Sequence, residues 1–65
     1  MVYPYLGTKK IEDDKMIVIF FTENNKGVVV MSETQDEEYR FGRYGIFDEN
    51  EFELLGEGIC VRLNN

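Results

Sequence analysis

Six consecutive apolar residues, "MIVIFF" (16–21), constrain this chain more than any other stretch. The run is too short for an ordinary helix, is rich in Ile, Val and Phe, and lies between the charged "EDDK" and the turn-forming "ENNKG". That combination marks a buried strand over 15–22, "KMIVIFFT". "GVVVMS" (27–32) follows at once and is β-branched through its centre, which makes it a second strand. Asn24, Asn25, Lys26 and Gly27 lie between the two, and Asn and Gly tolerate positive φ, so the pair is predicted to form an antiparallel hairpin. Because the apolar run does not alternate, both faces of its strand need cover, from another element or from a second copy of the chain.

The remaining segments extend the β pattern. "ETQDE" (33–37) is a polar loop, and "EYRFG" (38–42) alternates, with Tyr39 and Phe41 on one face and Glu38 and Arg40 on the other. "FELL" sets Phe52 and Leu54 opposite Glu51 and Glu53, and "GICVRL" (58–63) sets Ile59, Val61 and Leu63 opposite Cys60 and Arg62. "VYPYLG" reads as extended, since Pro4 turns Tyr3 away from helical angles and removes an amide donor. Asp48 and Glu51 have capping-box spacing, which predicts one 3₁₀ turn near residues 48–51, flanked by Phe47 and Phe52 and reached through Gly42 and Gly45. Five or six short antiparallel strands with polar turns predict an all-β fold, a single SH3-like barrel over residues 1–65.

A chain of 65 residues buries only about 60% of the surface its unfolded form exposes, so a small core or a partner subunit must supply the stability. A homo-oligomer is compatible with that requirement. Cys60 is the lone cysteine and cannot form an intrachain disulfide, which points to a reducing compartment such as the cytoplasm. No basic leader precedes an apolar stretch, and the longest apolar run falls far short of the roughly 20 residues of a membrane span.

Charge divides the chain unequally. Residues 1–32 balance four acids with four bases, whereas residues 33–57 hold nine acids against two bases, Arg40 and Arg43. Affinity for nucleic acid comes from lysine and arginine displacing counterions, so direct binding to a phosphate backbone is disfavoured and a basic protein partner is attracted instead. The absence of histidine removes the commonest general base and the commonest metal ligand together. Cys60 has no imidazole to activate it and reads as a small hydrophobe in a strand. Asp48 and Asn50 begin an EF-hand spacing, but Phe52 and Glu53 occupy the next ligand and the required glycine. "GRYG" copies a nucleic-acid-clamping GXXG loop, yet strand patterns rather than helices lie on both sides. No enzymatic role, cofactor or metal is expected.

The order "IFFTENNKGVVV", then "YRFGRYG", then "IFDENEFELL" resembles small SH3-like proteins of tailed bacteriophages, from about Ile17 to Leu54. The resemblance implies a protein that binds and blocks a host protein. The candidate partner-binding residues are Asp36, Glu37, Glu38, Tyr39, Tyr44, Asp48, Glu49, Glu51 and Glu53, carboxylates interleaved with tyrosines whose rings give contact area at low entropic cost. DNA mimicry, with carboxylates standing in for phosphates, is the bolder version of this expectation. The alternative is a structural module that self-associates through Met16–Phe21.

Overall fold

The apolar run forms the central strand of a five-stranded sheet. A computed structural model describes residues 3–57. β1 (Tyr5–Ile11), β2 (Lys15–Glu23), β3 (Lys26–Ser32), β4 (Tyr44–Ile46) and β5 (Glu53–Glu57) are all antiparallel to their neighbours, in the order β4-β3-β2-β1-β5. The fold is all-β, as the patterning predicts. Among the described residues β4 and β5 are the two edges, and bulges where β1 meets β5 and where β2 meets β3 bend the sheet between them. The expected strand "GICVRL" lies outside the described residues.

The β2–β3 hairpin turns on Asn24 and Asn25, with Asn25 at φ 54°. The β1–β2 hairpin has a three-residue loop, Glu12 to Asp14: Lys15 N–H closes on the Glu12 carbonyl at 3.0 Å, and Asp13 and Asp14 both take positive φ, 50° and 65°. Aspartate tolerates that region better than most residues because its short polar side chain can bond locally.

The region after β3 departs from the sequence expectation. "EYRFG" is not a strand: Glu37–Tyr39 form a 3₁₀ turn, and Phe41 and Gly42 turn the chain into β4. The cause is local. The Asp36 carboxylate accepts from Glu38 N–H at 2.9 Å, and Asp36 N–H is itself held by Thr34 Oγ1 at 3.2 Å, so the chain enters a capped turn before a ladder can form. Gly42, at φ 87°, completes the corner, and its N–H donates to the Val29 carbonyl at 2.7 Å. The fold therefore has two 3₁₀ turns rather than one. The second, Glu49–Glu51, lies where it is expected between β4 and β5.

The core is aromatic and one-sided. Tyr5, Ile19, Phe21, Val29 and Phe47 form a buried cluster, with Tyr3, Tyr39 and Phe52 packed against it. Tyr5 stacks on Phe21 at 5.2 Å between centroids, and Phe21 meets Phe52 edge-on at 5.3 Å. Phe47 and Phe52 thus anchor the second 3₁₀ turn, as predicted. On the opposite face of the sheet, Leu6 and Val18 are also buried and Phe20 is half-buried, so one copy of the chain covers most of "MIVIFF" on both sides.

Gly27 of β3 packs directly against β2. A Cβ there would meet the Phe20 carbonyl oxygen at 2.6 Å and Ile19 Cγ2 at 2.7 Å, whereas a Cβ on Gly42 meets nothing within 4 Å. Gly42→Ala should cost about 1 kcal/mol through its backbone angle alone. Gly27→Ala should cost about 1–3 kcal/mol through overpacking, and each kcal/mol lowers the melting temperature of a domain this size by about 4–8 °C. Thermal denaturation of the two variants checks that order.

Candidate acidic interface

The acidic half folds around the two 3₁₀ turns, and one aromatic contact brings them together. Tyr39, the last residue of the first turn, stacks on Phe47, which precedes the second, at 6.1 Å between centroids. Lys9 of β1 reaches into the same corner. Its ammonium donates to Glu51 Oε1 at 2.7 Å and lies 5.5 Å from the Phe52 ring centroid. The bond to Glu51 holds the Lys9 pKa above its ordinary value despite partial burial, and the Tyr39 hydroxyl, also within reach, adds to the effect.

Most of the expected partner-binding side chains face solvent here. Asp36, Glu37 and Glu38 are exposed on the first turn, and Asp48, Glu51 and Glu53 are exposed on and beside the second. Asp48 accepts from Asn50 N–H at 3.0 Å, the capping contact the sequence predicts. Instead of completing the box, the Glu51 carboxylate accepts from Lys9. Among the described residues, two of these acids have cationic partners: Glu51 has Lys9, and Glu37 has Arg40 at 3.2 Å. Tyr39 is half-buried, and Tyr44 is exposed on β4.

Glu49 is different. It points inward and accepts from the Tyr3 hydroxyl (2.8 and 2.7 Å to its two oxygens), from the Tyr5 hydroxyl at 2.6 Å, and from Asn25 N–H. Asn25 returns the bond, its Oδ1 accepting from Glu49 N–H at 3.0 Å, while its carbonyl accepts from Phe47 N–H at 3.0 Å. One carboxylate thereby ties the N-terminal tyrosines and the β2–β3 turn to the second 3₁₀ turn. Burial pushes the Glu49 carboxyl up, but the Tyr5, Asn25 and Tyr3 donors outweigh it and hold the pKa below the ordinary 4.5. Tyr3 is shifted above 10.0 mainly by its bond to Glu49, and Tyr5 mainly by burial and then by the same bond. Sequence reasoning places Glu49 among the surface acids because nothing local distinguishes it; its donors come from residues far away in the chain.

A cleft of about 420 Å³ beside this face is lined by Thr8, Lys9, Lys10, Met16, Glu51 and Glu53. It mixes both signs of charge and is open to solvent. Among the described residues no three His, Cys, Asp or Glu side chains gather as a metal-holding group, and no helix is long and apolar enough to cross a membrane. No protein-family model, curated protein or solved structure matches this chain.

The Glu49 network sets the pH dependence of stability. A lowered carboxylate pKa gives stability that is complete above 4.5 and is lost as pH falls through the folded value; the raised tyrosine values give stability complete below 10.0 and lost as pH rises through theirs. Glu49→Gln has one acceptor oxygen for three donors and should destabilise the domain by about 1–3 kcal/mol near neutral pH. The same change should flatten the acid limb of a plot of melting temperature against pH. An unchanged acid limb in Glu49→Gln would remove Glu49 from this role.

Proposed function

We propose that this chain is a non-enzymatic, acidic binding domain that docks on a basic surface of another protein and occludes it. The observation that carries the reading is the Tyr39–Phe47 ring contact, which joins two 3₁₀ turns whose exposed acids are Asp36, Glu37 and Glu38 on the first and Asp48 and Glu51 on the second, with exposed Glu53 just beyond. Complementary charge speeds encounter and selects partners, and exposed Tyr44 supplies an aromatic anchor beside the acids. Glu49 supports this face from inside rather than contacting the partner. The resemblance to small phage proteins makes a host protein in the bacterial cytoplasm the natural target, and DNA mimicry is the version in which that target's basic groove normally holds nucleic acid. Self-association through Met16–Phe21 has weaker support, since Ile17, Val18, Ile19 and Phe21 are buried within one copy.

Affinity capture from a bacterial lysate tests the proposal when wild type is compared with a fourfold neutralised variant, Asp36→Asn, Glu38→Gln, Asp48→Asn and Glu53→Gln. The expected result is a protein retained by wild type, lost by the variant, and released between about 50 and about 300 mM salt. For mimicry, the captured protein must also lose its own nucleic-acid binding when this chain is present. A partner held equally by both forms at all salt concentrations would refute docking through the acids.

A further inference from the structure

Among the described residues β4 is a sheet edge, and its register decides which of its backbone groups are already bonded. Phe47 N–H donates to the Asn25 carbonyl at 3.0 Å, and Val29 N–H donates to the Arg43 carbonyl at 2.9 Å. Gly45, paired with Gly27, lies midway between these contacts. Antiparallel partners exchange hydrogen bonds at alternate positions, so residues 43, 45 and 47 face β3 while the N–H and C=O groups of Tyr44 and Ile46 face outward from the edge. Those same two residues are 56% and 63% exposed, and their side chains project from one face of the strand. Phe41, 72% exposed, lies just before them. Proteins commonly blunt an edge by keeping it short, as three-residue β4 is, or with lysine, proline or a bulge. The sequence Tyr-Gly-Ile contains neither residue, and its pairing with β3 is regular.

Carboxylates flank this edge at both ends. Arg43 Nη1 donates to the Glu38 carbonyl at 3.3 Å, which folds the turn bearing Glu37 and Glu38 against the start of β4. Exposed Asp48 follows two residues after Ile46. The Arg43 guanidinium lies over the Phe47 ring, 5.5 Å from its centroid, on the inner side of the strand. Lys26, opposite Ile46, is on the β3 side rather than at the open edge. A second copy is the wrong occupant: antiparallel pairing about Gly45 would bring Asp48 of each copy toward Glu37 and Glu38 of the other.

The geometry points to strand addition: the Tyr44–Ile46 edge accepts an extended peptide segment of the partner, with β-branched apolar residues in the middle and Lys or Arg at its ends. This rests on the acidic-interface reading and specifies its binding mode. Main-chain hydrogen bonds to Tyr44 and Ile46 hold the segment, their side chains contact its alternate residues, and Glu37, Glu38 and Asp48 meet its cations.

Amide hydrogen exchange on the full chain, read by NMR, tests this with a synthetic peptide, Lys-Val-Thr-Val-Thr-Lys, at millimolar concentration. In the free protein the Gly45 amide should be protected while those of Tyr44 and Ile46 exchange rapidly. The peptide should slow exchange at Tyr44 and Ile46 by about tenfold or more. A peptide N-methylated at its central amides, with its charge unchanged, should not. The proposal would be overturned by Tyr44 and Ile46 already protected at every concentration, meaning that the chain's own residues cover the edge; by protection that rises with protein concentration, meaning a second copy; or by no slowing with the peptide. Salt-sensitive peptide binding that survives N-methylation would overturn strand addition while leaving the acidic interface standing. Peptide binding unchanged in the fourfold neutralised variant would instead count against that interface.

Discussion

One inward-facing carboxylate connects parts of this fold that hydrogen-bonded ladders do not. Glu49 receives Tyr3, Tyr5 and Asn25, so the chain's beginning, the β2–β3 turn and the connection between β4 and β5 meet at a single side chain. The two edge strands are four positions apart in the sheet, and the described residues contain no ladder between them. The second 3₁₀ turn spans that gap, held by Glu49 from one side and by the Phe47 and Phe52 rings from the other. A charged group in such a position is tolerated because each donor that approaches it compensates for lost water.

Around that connection the core uses rings in place of volume. Tyr3, Tyr5, Phe21 and Phe52 form a continuous series of aromatic contacts, extended at one end by Glu49 and at the other by the Lys9 ammonium. The polar ends of this series are satisfied, and among the described residues no buried side-chain nitrogen or oxygen lacks a partner. A small domain with a single cysteine, and so no intrachain disulfide, thus gains specificity from directional contacts at the rim of its core. That arrangement leaves the other acids free to face outward.

The parts of this structure legible in the sequence are those specified by neighbouring residues. "MIVIFF" between two polar segments reads as a buried strand, and Asp48 ahead of Asn50 and Glu51 carries its own cap. Tyr39 and Phe41 were misleading because alternation over five residues also arises when a capped turn happens to place two rings apart; the Asp36 and Thr34 side chains that decide the matter precede the segment. β1 was legible only in outline, since Thr8, Lys9 and Lys10 dilute its pattern and Gly7 is required by the Phe21 ring, whose Cε2 would lie 2.9 Å from a Cβ there. For the acidic face, composition located the charge but could not separate Glu49 from its neighbours. Only the distant tyrosines that bond to it make that distinction.

The tyrosine contacts to Glu49 also give the molecule an optical signature. The chain has no tryptophan, so its ultraviolet emission comes from four tyrosines. A carboxylate that accepts from a phenol drains its excited state by taking the proton, so Tyr3 and Tyr5 should be dark in the native form. Loss of the fold should release both phenols to water and brighten the chain, reporting the integrity of this junction without any added label.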